Sequence, residues 1–347
     1  MTYGIGIIGA GVIGAFHAKA ISALGDCKLV GIMDNHRPAA EAFATANGCA
    51  AHSDLKAFLE TPGLDVVTIC TPSGSHMDPA LAAIEAGKHL IIEKPLEITL
   101  ERCDAIIEAA AKKGVRITGV FQSRYHEAPK LLKQAVDGGR FGRLTLGDAY
   151  VKWYRSQEYY DNGGWRGTWA MDGGGALMNQ SIHAIDLLQW LMGPVDRVVA
   201  FTETLGHERI EVEDTAVAAI RFANGALGVI EGSTAVYPGY LKKIEISGTQ
   251  GSATLEEESL KTWDFAEETA EDAGIRDRFL NATASGGGAA DPKAIGVHGH
   301  TEQFRSFIAS LGGTGDSVGG EEARKSVEII LAIYESARSG KPVRLGG

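Results

Sequence analysis

Ile5-Gly6-Ile7-Ile8-Gly9-Ala10-Gly11-Val12-Ile13-Gly14 decides the fold. A strand-like apolar run, Ile5 to Ile8, enters three glycines spaced G-x-G-x-x-G, and a helical pattern follows from Val12 to Leu24. In that setting each glycine has a task. Gly9 permits a tight turn, Gly11 lets the backbone approach a pyrophosphate, and Gly14 lets helix and strand pack closely. Val12 and Ile13 complete the turn, and the helix N-terminus favours phosphate charge. Asp34 ends the second strand 20 residues after Gly14, where a carboxylate accepts hydrogen bonds from ribose hydroxyls and repels a 2′-phosphate. The stretch therefore predicts a dinucleotide, NAD in preference to NADP, with Arg37 nearby leaving NADP open.

Working outward, strands are expected at Lys28–Met33, Asp65–Cys70, His89–Ile92 and Val115–Val120. Helical stretches alternate with them at 38–46, 76–86 and 100–113. That order predicts a parallel sheet covered by helices on both faces. Beyond about residue 120 strand-like segments follow one another: 146–153, 198–204, 215–222, 226–234 and 242–247. Asn224-Gly225 and Gly248 to Gly251 supply the turns, and Asn-Gly is a strong hairpin signal. Two helices close the chain, near 301–311 and 320–339, and Asn281 to Asp291, with Ser285-Gly-Gly-Gly288, reads as a surface loop. The fold class is α/β. Residues 1–120 form an NAD(P)-binding Rossmann domain, and residues 121–347 a substrate-binding α/β domain with an open, mostly antiparallel sheet.

The composition is that of a globular protein of more than one core: 347 residues, 44% hydrophobic, 22% charged, net charge −11. The acidic balance, with no Lys/Arg-rich block, argues against nucleic acid and anionic membranes as partners. No apolar run approaches the ~20 residues of a membrane span, and no signal peptide precedes the first strand. Cys27, Cys49, Cys70 and Cys103 form no CxxC pair and read as buried reduced thiols. No metal is expected, and the expected compartment is the cytoplasm.

Thr71-Pro72-Ser73-Gly74-Ser75-His76 follows the third strong strand, where ligands bind in open α/β sheets. Thr71, Pro72 and His76 are assigned to the cofactor wall, with a helix-start role for His76 as the alternative. Glu93-Lys94-Pro95 follows the fourth of these strands, His89–Ile92. A lysine there can polarise a substrate oxygen, and Pro95 holds Lys94 extended and could take a cis bond. Farther on, Asp172-Gly-Gly-Gly175 leads into an apolar helix carrying Asn179, His183 and Asp186. At ~100° per residue these three fall within roughly a 60° arc. A polar stripe on such a helix is either an internal set, His183 held by Asp186, or a catalytic histidine with Asn179 binding a hydroxyl. Trp153, Arg155, Tyr159, Tyr160, Trp165, Arg166 and Trp169 offer flat apolar faces and oxyanion-binding cations, or core packing. Gln122, Arg124 and Tyr125 could line the same cleft. His298 and His300 are expected to cap a helix or lie on the surface.

The chain resembles the glucose-fructose oxidoreductase / inositol dehydrogenase family (Gfo/Idh/MocA). The resemblance rests on Gly9-x-Gly11-x-x-Gly14, Glu93-Lys94-Pro95, Gly173-Gly-Gly-Ala-Leu-x-Asn-Gln-x-x-His183-x-x-Asp186 and Tyr334-Glu-Ser-Ala-x-Ser-Gly340, and covers essentially the whole chain. It implies NAD(P)-dependent hydride transfer at a hydroxyl or keto carbon of a sugar, sugar derivative or cyclitol. Glu93 and Lys94 fall at the cofactor end, Lys94 and His183 match the catalytic pair, and Asn179, Arg124, Tyr125, Trp165 and Arg166 are substrate-side candidates. His183 would take the hydroxyl proton while Lys94 holds the alkoxide, or the two would exchange roles. The resemblance also implies a homodimer or homotetramer, and neither metal nor flavin. Many members carry aspartate where this chain has Asn179, which cannot accept and carry a proton as a carboxylate does. That puts close kinship with inositol dehydrogenases in doubt. Two alternatives stand beside this reading: a closed oxidation-elimination-reduction cycle cleaving a glycoside, and a non-catalytic NAD-binding regulator, against which intact Lys94 and His183 argue.

Overall fold

The computed structural model describes residues 2–162, 164–280, 289 and 296–346. The loop expected at 281–291 therefore lies outside the described residues except for Ala289. The chain forms two compact units, Met1–Gln122 with Val297–Arg324, and Ser123–Gly296 with Lys325–Gly347.

The first unit is built on a six-stranded sheet of β1 (Tyr3–Ile8), β2 (Cys27–Met33), β3 (Ala50–His52), β4 (Val66–Ile69), β5 (His89–Ile92) and β6 (Ile117–Gly119). The order is β3-β2-β1-β4-β5-β6 and every pairing is parallel. Helices α1 (Val12–Ser22), α2 (Arg37–Asn47), α3 (Leu55–Leu59), α4 (Met77–Glu85) and α5 (Leu100–Lys113) make the crossovers. Strands covered on both faces should read as continuous apolar runs. Ile5, Ile7, Ile8, Val66, Val67, Ile69, Leu90, Ile91 and Ile92 are at most 3% exposed, which accounts for the uninterrupted hydrophobicity of β1, β4 and β5. Helix α5 starts at Thr99, whose side chain accepts from the Arg102 N–H, and stops at Gly114 with φ +74°.

The sequence reading ran the second domain to the C-terminus, whereas Val297–Arg324 returns to the first unit. Two constraints explain this. Phe304, Phe307 and Ile308 of the helix His298–Leu311 join Ile5, Ile7, Ile21 and Ile32 in one core. Edge strand β6 also needs partners for its free backbone groups. The Gly119 N–H donates to the Val318 carbonyl (3.0 Å), and Gln303 gives its amide to Gly119 O (2.7 Å) while accepting from the Phe121 N–H (3.0 Å).

The second unit carries an eight-stranded sheet: β7 (Leu144–Lys152), β8 (Val195–Glu203), β9 (Thr215–Phe222), β10 (Leu227–Ser233), β11 (Lys243–Gly248), β12 (Gly251–Glu256), β13 (Ser259–Phe265) and β14 (Val343–Arg344). Its order is β13-β12-β11-β7-β10-β9-β8-β14. Only β7 and β10 pair in parallel, the rest being antiparallel. The Asn224-Gly225 turn joins β9 to β10 with Gly225 at φ +90°. Helices α6 (Glu127–Asp137), α7 (Gln157–Asp161) and α8 (Ile182–Met192) belong to this unit. Helix α8 lies on β7, where a Cβ at Gly147 would sit 2.6 Å from Met192. The opposite face of the sheet leaves Leu146, Val199, Phe201, Val217 and Leu227 exposed.

The glycines of the first turn separate by what a side chain would meet. A Cβ at Gly14 would sit 2.2 Å from the Gly9 carbonyl oxygen, whereas one at Gly11 would meet nothing within 4 Å. Gly14→Ala should therefore cost about 1–3 kcal/mol of stability as an overpacked contact with backbone. Gly11→Ala should keep the melting temperature of the unliganded protein and weaken dinucleotide binding. Scanning calorimetry with and without NAD separates the two, and equal melting temperatures for both variants would contradict the assignment.

Candidate functional site

The strand order of the first unit reverses between β1 and β4, and ligands of open α/β sheets bind outside the strand ends at that switch point. The glycine turn leaves β1 there, and the Thr71 segment leaves β4. Gly9 takes φ +106°, a conformation a side chain would strain, and a Cβ on it would lie 2.7 Å from Cys70 O. Gly11 caps α1 with open space where its side chain would be, which fits a phosphate drawn to the helix N-terminus. Val12 is 59% exposed beside it, and Ile13 packs against the core. Asp34 accepts from the Ala10 N–H and the His36 N–H, both at 2.8 Å, so it rigidifies the glycine turn. A carboxylate has about four lone-pair sites, and two acceptor positions remain for ribose hydroxyls. Arg37 pairs along its own helix with Glu41 at 2.8 Å.

Thr71 and Pro72 are partly exposed at the end of β4, but His76 is 0% exposed. Its ring lies between the Pro95 and Thr71 carbonyl oxygens, at 2.9 and 3.0 Å. The structure thus gives His76 a holding position between the two loops rather than a face toward the cofactor. The Lys94–Pro95 bond is cis.

Glu93 is 6% exposed. Its Oε1 is 2.8 Å from His17 Nε2, and its Oε2 accepts from the Lys94 N–H at 3.1 Å. Burial, the largest influence, opposes its charge, but the His17 hydrogen bond and charge, with His300 and Lys94, outweigh it and hold Glu93 down to about 2. Burial likewise opposes charge on His17, while Cys70 and Glu93 push it up to about 10. His17 also meets Thr68 Oγ1 (2.7 Å) and Cys70 Sγ (3.2 Å). The expectation of a surface or capping place for His300 is corrected. It is 3% exposed, its ring lies tilted against that of His17 at 5.6 Å, and burial with the His17 charge lowers it to about 4. His17, Glu93 and His300 lie close enough to hold a metal. Sequence reasoning passed over His17, although its place with Gly14, Ala18 and Ile21 on the buried face of α1 marked a polar residue on an apolar stripe.

In the second unit, Ala176–Ser181 is a π-helical turn and α8 begins only at Ile182. The spacing of ~100° per residue therefore applies only from Ile182 onward, to His183 and Asp186. Single π turns recur at functional sites because they re-aim a side chain. The Asn179 amide donates to Asp172 Oδ1 (2.8 Å), and Asp172 Oδ2 accepts from the Gly167 N–H (2.9 Å). Glu213 anchors the glycine loop by accepting from Gly175 N–H (2.9 Å), Leu177 N–H (2.8 Å) and the Tyr334 hydroxyl (3.0 Å). Burial raises Glu213 to about 7 against those donors. His183 is partly exposed on α8. Asp186, one alternative holder for His183, is 0% exposed and takes a two-point bond from Arg124 at 2.7 and 2.6 Å. That corrects the reading of Arg124 as a substrate ligand: it is 6% exposed, with its guanidinium on Asp186 and on the Trp190 ring. Tyr125 remains partly exposed under Lys130. Trp153 and Tyr160 are buried, while Trp165 and Arg166 stay partly open.

A parallel sheet with a glycine turn and an acidic strand end at its switch point defines a dinucleotide-binding protein, and comparisons with known proteins agree. Residues 3–121 match the oxidoreductase family with an NAD-binding Rossmann fold. Residues 130–254 match the GFO/IDH/MocA C-terminal domain. The WlbA dehydrogenase of Bordetella pertussis, solved with NADH and UDP-GlcNAcA, is 36% identical with TM-score 0.90, covering 100% of this chain and 98% of that one. The levoglucosan dehydrogenase of Pseudarthrobacter phenanthrenivorans is 30% identical over 96% of this chain and 95% of its own. The myo-inositol 2-dehydrogenase of Thermotoga maritima is 28% identical over 98% of each chain. The chain belongs to the Gfo/Idh/MocA family of NAD-binding oxidoreductases.

The buried pair yields a pH signature. Glu93 is lowered, so its contribution to stability is present above its ordinary value of 4.5 and is lost as pH falls through about 2. His17 is raised, so its contribution is complete below 6.5 and is lost as pH rises through about 10. His17→Leu leaves Glu93 buried without its partner, and should cost about 3–5 kcal/mol. The loss should be greatest between pH 4.5 and 6.5. Urea denaturation of both proteins across pH measures the difference, and a loss independent of pH would rule out the ion pair.

Proposed function

We propose that this oxidoreductase transfers hydride between NAD and a hydroxyl or keto carbon of a sugar, sugar derivative or cyclitol, with Lys94 and His183 handling the proton. The observation that carries the proposal is the Glu93-Lys94-Pro95 turn. It leaves the C-terminal end of β5, one strand beyond β4, and its backbone is fixed by the buried Glu93–His17 pair. The substrate class follows the relatives, two of them named for levoglucosan and myo-inositol and one neighbour bound to UDP-GlcNAcA.

Bound NAD supplies the hydride acceptor at its nicotinamide ring. Asp34 holds the adenosine ribose, and Gly9, Gly11, Val12, Ile13 and Gly14 carry the pyrophosphate turn. Thr71 and Pro72 wall the cofactor, while Glu93 and His76 position the loops that carry Lys94 and Thr71. Lys94 stabilises the developing alkoxide as an ammonium donor, and His183 accepts the hydroxyl proton. The reverse division of labour uses the same two groups. Asn179, oriented by Asp172, takes a substrate hydroxyl, and Tyr125 and Trp165 are further substrate-side residues. Lys94→Ala and His183→Ala should each lower kcat about 10²–10⁴-fold, with NAD affinity by calorimetry within about threefold of wild type. NADH absorbance against a panel of sugars, polyols, cyclitols and uronic acids measures this, and wild-type turnover in both variants would remove the pair from the mechanism.

We propose further that the outward face of the second sheet forms a homodimer or homotetramer contact. Phe201 is 78% exposed there, Val217 46% and Val199 42%, and Phe201 faces Val217 across the strand pair. A contiguous exposed apolar patch marks an interaction surface. Phe201→Asp should shift the mass found by light scattering toward the monomer, and an unchanged mass would exclude this face. The four free cysteines favour the reducing cytoplasm, and no helix among the described residues is long and apolar enough to cross a membrane.

A further inference from the structure

Arg166 is a half-buried cation for which the described chain provides no anion. Its guanidinium lies 4.4 Å from the Tyr159 ring centre and 5.4 Å from that of Trp165. Its one hydrogen bond among the described residues is a long 3.4 Å contact from Nη1 to the Tyr159 carbonyl, and Nε is buried without an acceptor. No carboxylate among the described residues lies within ion-pair distance of it. This is unusual in a chain of net charge −11, because charges withdrawn from water are normally paired.

The acids of its own segment are engaged elsewhere. Glu158 binds the Asn162 amide, Asp161 pairs with Arg209 at 2.9 Å, and Asp172 receives Gly167 and Asn179. Tyr159 does not supply the missing charge either, since burial raises its phenol above the ordinary value despite Arg166 and Arg155. A second unsatisfied atom adjoins the same ring system. Gln180, 5% exposed, gives its amide to the Tyr159 hydroxyl at 3.3 Å, and its carbonyl oxygen is buried with no donor. Gln180 directly follows Asn179 on the π turn. Among the described residues, a cation without an anion and a carbonyl oxygen without a donor therefore flank one aromatic ring beside the proposed substrate residue.

We propose that Arg166, stacked on Tyr159 and Trp165, is the specificity residue for an oxyanion carried by the substrate, so that the enzyme acts on an acidic or phosphorylated sugar rather than a neutral polyol. This rests on the dehydrogenase reading for the identity of the site, but the anion preference is tested by binding alone. A guanidinium fork fits carboxylate and phosphate alike, and Gln180 is placed to accept a hydroxyl next to that group.

The test titrates the full chain, loaded with NADH, with glucose, glucuronate, glucose 6-phosphate, UDP-GlcNAc and UDP-GlcNAcA in a calorimeter. At least one charged ligand should bind about 30-fold or more tightly than glucose. Arg166→Met should remove that advantage while retaining the wild-type melting temperature, and Arg166→Lys should restore part of it. A preference for glucuronate and UDP-GlcNAcA over their counterparts identifies a carboxylate. Equal binding of glucose 6-phosphate or UDP-GlcNAc identifies a phosphate. Glucose binding as tightly as every charged ligand, no binding by any charged ligand, or Arg166→Met binding the charged ligands within threefold of wild type would overturn the proposal. Turnover with NAD separates the two layers. Arg166-dependent binding with no NADH from any ligand would refute the dehydrogenase reading and leave the anion site standing. NADH formed equally from glucose and glucuronate would do the reverse.

Discussion

A carboxylate kept charged inside the first unit is the constraint on which the rest of the cofactor end depends. Glu93 is removed from water, so its charge persists only because the His17 imidazolium meets it and the Lys94 N–H donates to it. His17 stands on the buried face of α1, the helix opened by the glycine turn, and Glu93 stands at the end of β5. One ion pair therefore ties the phosphate-side helix to the strand that presents Lys94. Such pairs contribute little net stability compared with apolar packing, yet breaking one is costly because the remaining charge is stranded. Its value here is positional. His76 has a similar place, its ring lying between backbone carbonyls of Thr71 and Pro95 that follow β4 and β5.

The second unit also builds on a buried carboxylate, but there backbone donors do not outweigh burial, which raises Glu213 to about 7. Glu213 gathers two N–H groups of the glycine loop and one phenol, and so anchors the turn from which Asn179 and His183 project. At Gly175 a Cβ would lie 1.7 Å from the Glu213 carbonyl oxygen, so the loop passes where only glycine fits. Close approach, together with positive φ at Gly173 and Gly174, accounts for the run of three glycines.

Much of this was legible in the sequence because period and punctuation carry it. The β1 turn, the covered strands, the Asn224-Gly225 hairpin and the polar positions on the Ile182–Met192 helix all follow from local pattern. Features that depend on distant partners were not legible. Strands Ala50–His52 and Val343–Arg344 are too short to show a period. The return of Val297–Arg324 to the first unit is driven by the unpaired edge of β6 and by three apolar side chains of a helix almost 200 residues later. The π turn at Ala176–Ser181, with the Leu177 N–H donating to Glu213, is a backbone feature that an apolar pattern read at the α-helical period does not show. His300 read as a surface residue because nothing local showed the Glu93 and His17 it packs against.

The two arginines singled out from the sequence show most clearly what partner accounting adds. Both were substrate-side candidates, Arg166 (like Arg155) as an oxyanion-binding cation and Arg124 as a residue that could line the same cleft. In the fold Arg124 meets Asp186 with two short bonds, and its charge is neutralised inside the protein. Arg166 meets two aromatic rings and a distant carbonyl. A ring quadrupole stabilises a cation by only about 0.5–2 kcal/mol, less than the charged hydrogen bonds that a carboxylate would return. Among the described residues the cation is thus held in place but not neutralised. In a protein with eleven excess negative charges, a carboxylate at that position would have been available at the cost of one substitution. With no carboxylate among the described residues to meet it, the guanidinium is left for an anion supplied by the ligand.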